Sequence, residues 1–295
     1  MPTTILNHTL SSQLDELTRI NTFDLLKAFG LENVKHGRSL LDALCWWPAR
    51  QFAHKIVQYD KLVGEAGLQA AGAWALTAFE AQLKLVGQEN IPPQGPVLLL
   101  ANHPGMTDTV ALFASIPRSD LRILAAVRPF LQALPHTAQR LIYIDEAAHN
   151  NLAAVRTAAY HLRNGGAALT FPAGKIEPDP ALLPGAVAAL QQWSASIALF
   201  ARLAPATQIV PVLVAGVLSA KAQRTPIRYL RRTKKDQEWL ASTLQIIVPA
   251  YRPVQVQVSF GAPLTPAKGM AARELMNSVT TAMQTLIEQH YPTAK

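Results

Sequence analysis

Val97-Leu98-Leu99-Leu100-Ala101-Asn102-His103-Pro104-Gly105-Met106-Thr107-Asp108 runs five apolar residues into a polar pair, a Pro-Gly turn and a carboxylate. A short apolar run closed by turn residues reads as a buried strand, and the residues after Gly105 read as the start of a helix. In open α/β sheets, functional groups gather at the carboxyl ends of strands, which is where His103 falls. Asp108 then stands about one turn into the following helix. From there a carboxylate can reach one imidazole nitrogen and fix the tautomer, so that the other nitrogen accepts a proton. The bare His-x4-Asp spacing is a weak signal. It fits a capping Asp and a partly buried His as well as a general base.

Outward from this stretch, short apolar runs alternate with helical periodicity. Strands are predicted at Pro96–Ala101, Arg122–Val127, Leu141–Ile144, Ala167–Phe171, Gln208–Val214 and Val254–Phe260. The last alternates Val254, Val256, Val258 and Phe260, as a half-exposed strand does. Helices are predicted near 105–115, 148–164, 186–203 and 266–289, the last with Thr265–Pro266 as cap and first-turn proline. Such alternation implies an α/β fold, a mixed sheet covered by helices.

Before it, residues 1–85 read as helical. Leu14, Leu17, Ile20, Leu25, Leu26 and Phe29 recur at helical spacing and Gly30 is a natural stop. A second helix begins near Ser39, with Pro48 expected to start or kink it. An Ala-rich third spans about Glu65 to Lys84. The turn-rich joint Gln88 to Gly95 divides the chain into a helical region, 1–85, and an α/β domain, 86–295.

The 295 residues carry 27 Lys+Arg against 19 Asp+Glu, a net charge of +8, and 49% are hydrophobic. That balance excludes a disordered chain. From Lys221 to Lys235 there are seven basic residues and no acid, so the excess is one patch. Anionic lipid, nucleic acid or an acidic carrier protein could each answer it. A nucleic-acid partner is not expected, because no recognition motif accompanies the charge. The single cysteine, Cys45, excludes a disulfide framework and fits a reducing compartment. No signal peptide is expected from Met-Pro-Thr-Thr-Ile-Leu-Asn-His. Between Asp179 and Lys221 the only charge is Arg202, but four prolines and several polar residues interrupt that stretch. A spanning helix needs about 20 mostly apolar residues, and none is expected.

A second motif joins the first. The predicted strand Ala167-Ala168-Leu169-Thr170 runs into Phe171-Pro172-Ala173-Gly174-Lys175. That turn offers backbone N–H groups and one cation to an anion. It is not a nucleotide P-loop, since the second glycine and the Ser/Thr after Lys are missing.

Taken in order, the segments resemble the motif blocks of the glycerolipid acyltransferase family, which acylates lysophosphatidic acid and glycerol 3-phosphate. Asn102-His103 to Asp108 looks like its Asn-His-x4-Asp block. Tyr143-Ile144-Asp145 resembles Phe-Ile-Asp-Arg, Phe171-Pro172-Ala173-Gly174 resembles Phe-Pro-Glu-Gly, and Ile209-Val210-Pro211-Val212 resembles the fourth block. Ala126-Val127-Arg128 stands where the family has Ala-Lys. The resemblance implies a transferase of phospholipid biosynthesis. His103, oriented by Asp108, would deprotonate an acceptor hydroxyl, which takes the acyl chain from acyl-CoA or acyl-carrier protein. No permanently bound cofactor and no metal are implied. A catalytically inactive lipid-binding relative is the alternative.

Two departures bear on the acceptor. Glu146 stands where the second block has Arg, and Ala173 where the third has Glu. Substrate contacts are expected from Asn102, Arg128, Phe171, Pro172, Gly174, Lys175 and Glu177, the last as a replacement carboxylate. A membrane surface is an expected partner, with the protein peripheral on the cytoplasmic face. Trp46 and Trp47 suit an interfacial helix or a helical core equally, as do Phe52 and Tyr59. Arg228, Arg231, Arg232 and Lys235 are the expected contacts to anionic headgroups or to an acidic carrier.

Overall fold

The computed structural model describes residues 2–145, 151–267 and 269–292. In chain order the elements are α1 (Pro2–Phe29), α2 (Arg38–Ala78), β1 (Ala81–Val86), β2 (Val97–Ala101), α3 (Met106–Ser115), β3 (Arg122–Ala126), α4 (Pro129–Gln132) and α5 (Pro135–Ala138). There follow β4 (Leu141–Ile144), α6 (Leu152–Arg163), β5 (Ala167–Thr170), α7 (Ala186–Ala189), α8 (Ser196–Leu203) and β6 (Gln208–Ala215). The chain closes with α9 (Ala220–Gln223), α10 (Lys234–Ile247), β7 (Val254–Phe260) and α11 (Ala272–His290). They form two compact units that do not follow the chain linearly.

The first unit gathers the chain up to Ala81 with Arg128–Gln139 and Leu218–Val254. The last two segments are ones the sequence assigns to the α/β domain. They cluster with α1 and α2 because their apolar faces complete those helices. Leu17, Ala53 and Ile56 pack with Ala133 and Leu134, and Phe52 meets both Phe79 and Phe130. Ala28 packs with Leu240 and Leu244 of α10. Asp60 is buried here and accepts from the N–H of Thr137 at 2.8 Å and from its hydroxyl at 2.7 Å, capping α5. Pro48 is accommodated inside α2, whose departure from helical dihedrals falls instead at Gly67 (φ 82°). Phe52 and Tyr59 face inward, whereas Trp46 and Trp47 are exposed.

The second unit gathers Gln82–Val127, Arg140–Val217 and Gln255–Lys295, and so holds the sheet, bar the first residues of β1 and β7. The strand order is β1-β7-β6-β2-β5-β3-β4. β2, β3, β4, β5 and β6 run parallel and β7 is antiparallel to β6, so the sheet is mixed. β2 lies between β5 and β6, and all five of its residues are buried. A strand covered on both faces reads as a continuous apolar run, which is why Val-Leu-Leu-Leu-Ala does not alternate. Leu98, Leu100 and Leu213 pack with Trp193, Ile197 and Phe200 and with Leu275, Val279 and Met283 of α11.

Three sequence expectations need correction. Residues 81–84, expected within a helix, belong to strand β1: α2 ends at Ala78 and Glu80 takes a positive φ of 56°. The single helix expected at 186–203 is broken into α7, a 3-10 turn and α8, with Trp193 extended between them. The last helix starts at Ala272, so Thr265 and Pro266 do not cap it. Within the basic segment, Thr233 caps α10 by accepting from the Asp236 N–H, and α10 carries Lys234 and Lys235 in its first turn.

Candidate active site

β2 sits where the chain reverses its course through the sheet. From β2 the crossovers lead to β3 and β4 on one side, and from β5 to β6 on the other. The crevice outside the carboxyl ends of such strands is the natural site of an α/β sheet. Asn102 and His103 lead into it. The Asn102 side chain donates to the Val214 carbonyl at 2.8 Å and accepts from the Val214 N–H at 2.7 Å. It thus copies a backbone rung and ties the strand end to β6.

His103 Nδ1 lies 2.7 Å from Asp108 Oδ2. Asp108 is fully buried in the first turn of α3, where the helix dipole favours a negative charge. Its Oδ2 also accepts from the Gly105 N–H at 3.0 Å, and its Oδ1 accepts from the Thr109 hydroxyl at 2.9 Å. With the carboxylate so held, Nδ1 carries the proton and donates it to Asp108, which leaves Nε2 as the acceptor. The His103 side chain keeps 26% of its surface exposed. Burial alone would lower the imidazole pKa. The charge and hydrogen bond of Asp108, with the charge of Glu177, outweigh it and hold the pKa above its ordinary value.

The 171–177 loop touches His103 at its ring and at its backbone. Phe171 stacks on the ring, with centroids 4.4 Å apart and planes at 27°. Pro172 is buried and its carbonyl accepts from Ser194 N–H at 3.0 Å. Gly174 takes φ 63°, in the left-handed region that favours glycine, and its N–H closes a turn on the Phe171 carbonyl at 3.0 Å. Gly174, Lys175 and Ile176 are exposed. Glu177 returns inward: its N–H donates to the His103 carbonyl at 2.8 Å and its carboxylate accepts from the His103 N–H at 3.0 Å. The other carboxylate oxygen accepts from Trp193 Nε1 at 2.9 Å. Burial pushes the Glu177 carboxyl pKa up, and the bonds from Trp193 and His103 only partly oppose it.

Of the residues expected to meet substrate, Phe171, Gly174 and Lys175 border the exposed side of this loop. Asn102 and Glu177 do not: both are buried, with their polar ends turned on Val214, His103 and Trp193. Arg128 is counted with the first unit, where it precedes α4. Glu146 lies outside the described residues. In the basic segment, Arg228 donates to the Gln223 carbonyl, and Arg231 pairs with Asp236 at 3.4 Å. Arg232 and Lys235 are exposed. Trp193, Val214 and Thr109 support the site without any short-range sequence signal. Among the described residues, no group of three His, Cys, Asp or Glu side chains is gathered as a metal site requires.

A family model described as Acyltransferase matches residues 82–215. That span holds His103, Asp108 and the whole 171–177 loop. No curated protein matches the chain. Among solved structures, the crystal structure of the 1-acyl-sn-glycerophosphate (LPA) acyltransferase PlsC from Thermotoga maritima is similar, at 17% identity over 97% of each chain with a TM-score of 0.48.

Proposed function

We propose that the protein transfers a fatty acyl chain from a thioester, acyl-CoA or acyl-carrier protein, to a hydroxyl of a lipid or glycerolipid acceptor in phospholipid biosynthesis. The observation that carries this reading is the 2.7 Å contact of His103 Nδ1 with buried Asp108, at the carboxyl end of β2 and within the span that the Acyltransferase family model matches. His103 Nε2 takes the acceptor's hydroxyl proton as the oxygen attacks the thioester carbonyl. Asp108 stabilises the imidazolium as it forms. The tetrahedral adduct collapses with cleavage of the C–S bond, and the imidazolium returns its proton to the departing thiolate. The products are the ester and the free thiol. Lys175, exposed on the turn beside Phe171, is the cation best suited to a polar acceptor headgroup.

The reading extends to a peripheral seat on the cytoplasmic face of a membrane. Among the described residues no helix is long and apolar enough to cross one. Leu40, Leu44, Trp46 and Trp47 of α2 are exposed, as are Tyr229 and Leu230 in the basic segment. Large apolar side chains among cations suit the headgroup layer.

The test is thioester consumption and ester formation, followed by mass spectrometry over a panel of acyl acceptors, for the wild type and His103→Ala. Turnover that His103→Ala abolishes, with the fold intact, supports the reading. A wild type inert towards the whole panel refutes it.

A further inference from the structure

Glu177 is a carboxylate buried beside the reacting imidazole, and among the described residues no Lys or Arg pairs with it. Burying a carboxylate is costly unless hydrogen bonds replace its water. Here the replacements are two N–H donors, one on each oxygen: the His103 backbone and the Trp193 indole. Only an acceptor-only group satisfies both. A glutamine would have to turn its NH2 on one of the two donors. At the same point the Glu177 N–H holds the His103 carbonyl. The residue therefore grips the His103 peptide on both its donor and its acceptor. His103 needs such a grip, because β2 ends two residues earlier, at Ala101.

We propose that Glu177 is a positioning residue for the general base: it fixes the His103 peptide against the Trp193 indole, and so sets where Nε2 stands, without itself meeting acceptor or donor. The proposal rests on His103 being the base. It replaces the expectation that Glu177 stands in, as a substrate carboxylate, for the Glu that the third motif block has at Ala173. Glu177 also bears on the imidazole as a charge. Among the described residues, the charges acting on His103 are Asp108 from α3 and Glu177 from the 171–177 loop, and both favour the imidazolium.

The experiment compares the full-length wild type, Glu177→Gln and Trp193→Phe by steady-state kinetics and by NMR titration of the His103 imidazole. Glu177→Gln is expected to lower kcat by about 10- to 100-fold, as a displaced base does. Acceptor and donor KM should stay within about two-fold, and the His103 titration should move to lower pH. Trp193→Phe keeps the charge and removes one anchor, so kcat falls while the titration stays in place. A raised acceptor KM with wild-type kcat in Glu177→Gln would make Glu177 a substrate ligand and overturn the proposal. An unmoved His103 titration in that variant overturns it as well. Should Glu177→Gln fail to fold, the kcat-against-KM split in Trp193→Phe decides. A wild type without turnover refutes acyl transfer instead, and the titration then decides on Glu177 alone.

Discussion

Replacing Asp108 by asparagine isolates the charge of the carboxylate from its geometry. The Oδ2 position receives two donors, His103 Nδ1 and the Gly105 N–H, and the backbone donor cannot be reversed. The Oδ1 position faces only the Thr109 hydroxyl, which can rotate to accept. The amide oxygen of Asp108→Asn therefore takes the Oδ2 place and its NH2 faces Thr109. His103 keeps its Nδ1–H tautomer and loses only the negative partner. A hydrogen bond to a charged group contributes about 1.5–3 kcal/mol. The amide still accepts this bond as a neutral partner, a bond of about 0.5–1.5 kcal/mol, so the transition state loses about 1–1.5 kcal/mol and kcat falls by about 5- to 13-fold. The pH profile adds a signed test. The base works when neutral, so wild-type activity rises with pH through the raised His103 pKa. Without the Asp108 charge that limb moves to lower pH. The assay is kcat and kcat/KM for thioester consumption between about pH 5 and 9, with circular dichroism to verify folding. An unmoved acid limb, or wild-type kcat on the plateau, would refute the role assigned to Asp108.

Three further outcomes follow from other contacts. Arg118 is buried and donates to the carbonyls of Pro92, Gly95 and Gly165 and to both oxygens of Asp120. Arg118→Ala should cost about 2–3 kcal/mol in chemical denaturation, because the Pro92, Gly95 and Gly165 carbonyls lose a charged donor while half-exposed Asp120 can turn to water; a loss under about 1 kcal/mol would contradict it. Gly174→Ala forces a side chain into φ 63° and should lose about 1–2 kcal/mol of stability, which thermal melts can check. Trp47→Ala with Arg232→Gln and Lys235→Gln should weaken sedimentation with anionic vesicles by 10-fold or more, since each cation near such a surface contributes about 1 kcal/mol. Folding should be unchanged, because all three side chains are exposed. Equal vesicle binding by this variant and the wild type would sink the membrane contact.

The sheet was largely legible because a strand buried on both faces must be an apolar run. Five of the seven strands read as apolar runs, and β7 declares itself by the alternation of Val254, Val256, Val258 and Phe260. β1 did not: Ala-Gln-Leu-Lys-Leu-Val at the sheet edge is mostly exposed and continues an Ala-rich helix. The pairing of His103 with Asp108 was legible because both lie within one strand-turn-helix. Glu177 was legible as a residue and not as a role. Its direction depends on Trp193, 16 residues away, and on the fold bringing the 171–177 loop over the end of β2. Asn102 and Val214 are separated by 112 residues, and no local pattern signals their bond. Charge was legible as a patch only. That Arg228 and Arg231 are engaged within the protein depends on the Gln223 carbonyl and on the helix that begins at Lys234.

The 171–177 loop begins and ends on His103, through the Phe171 ring at one end and the Glu177 backbone and carboxylate at the other. It is in effect a peptide cyclised without a covalent bond. Cyclised segments have already surrendered much of their freedom, so a ligand that settles on them loses less to ordering. The exposed Gly174-Lys175-Ile176 arc therefore offers a polar headgroup a surface whose conformational entropy was spent during folding, not on binding.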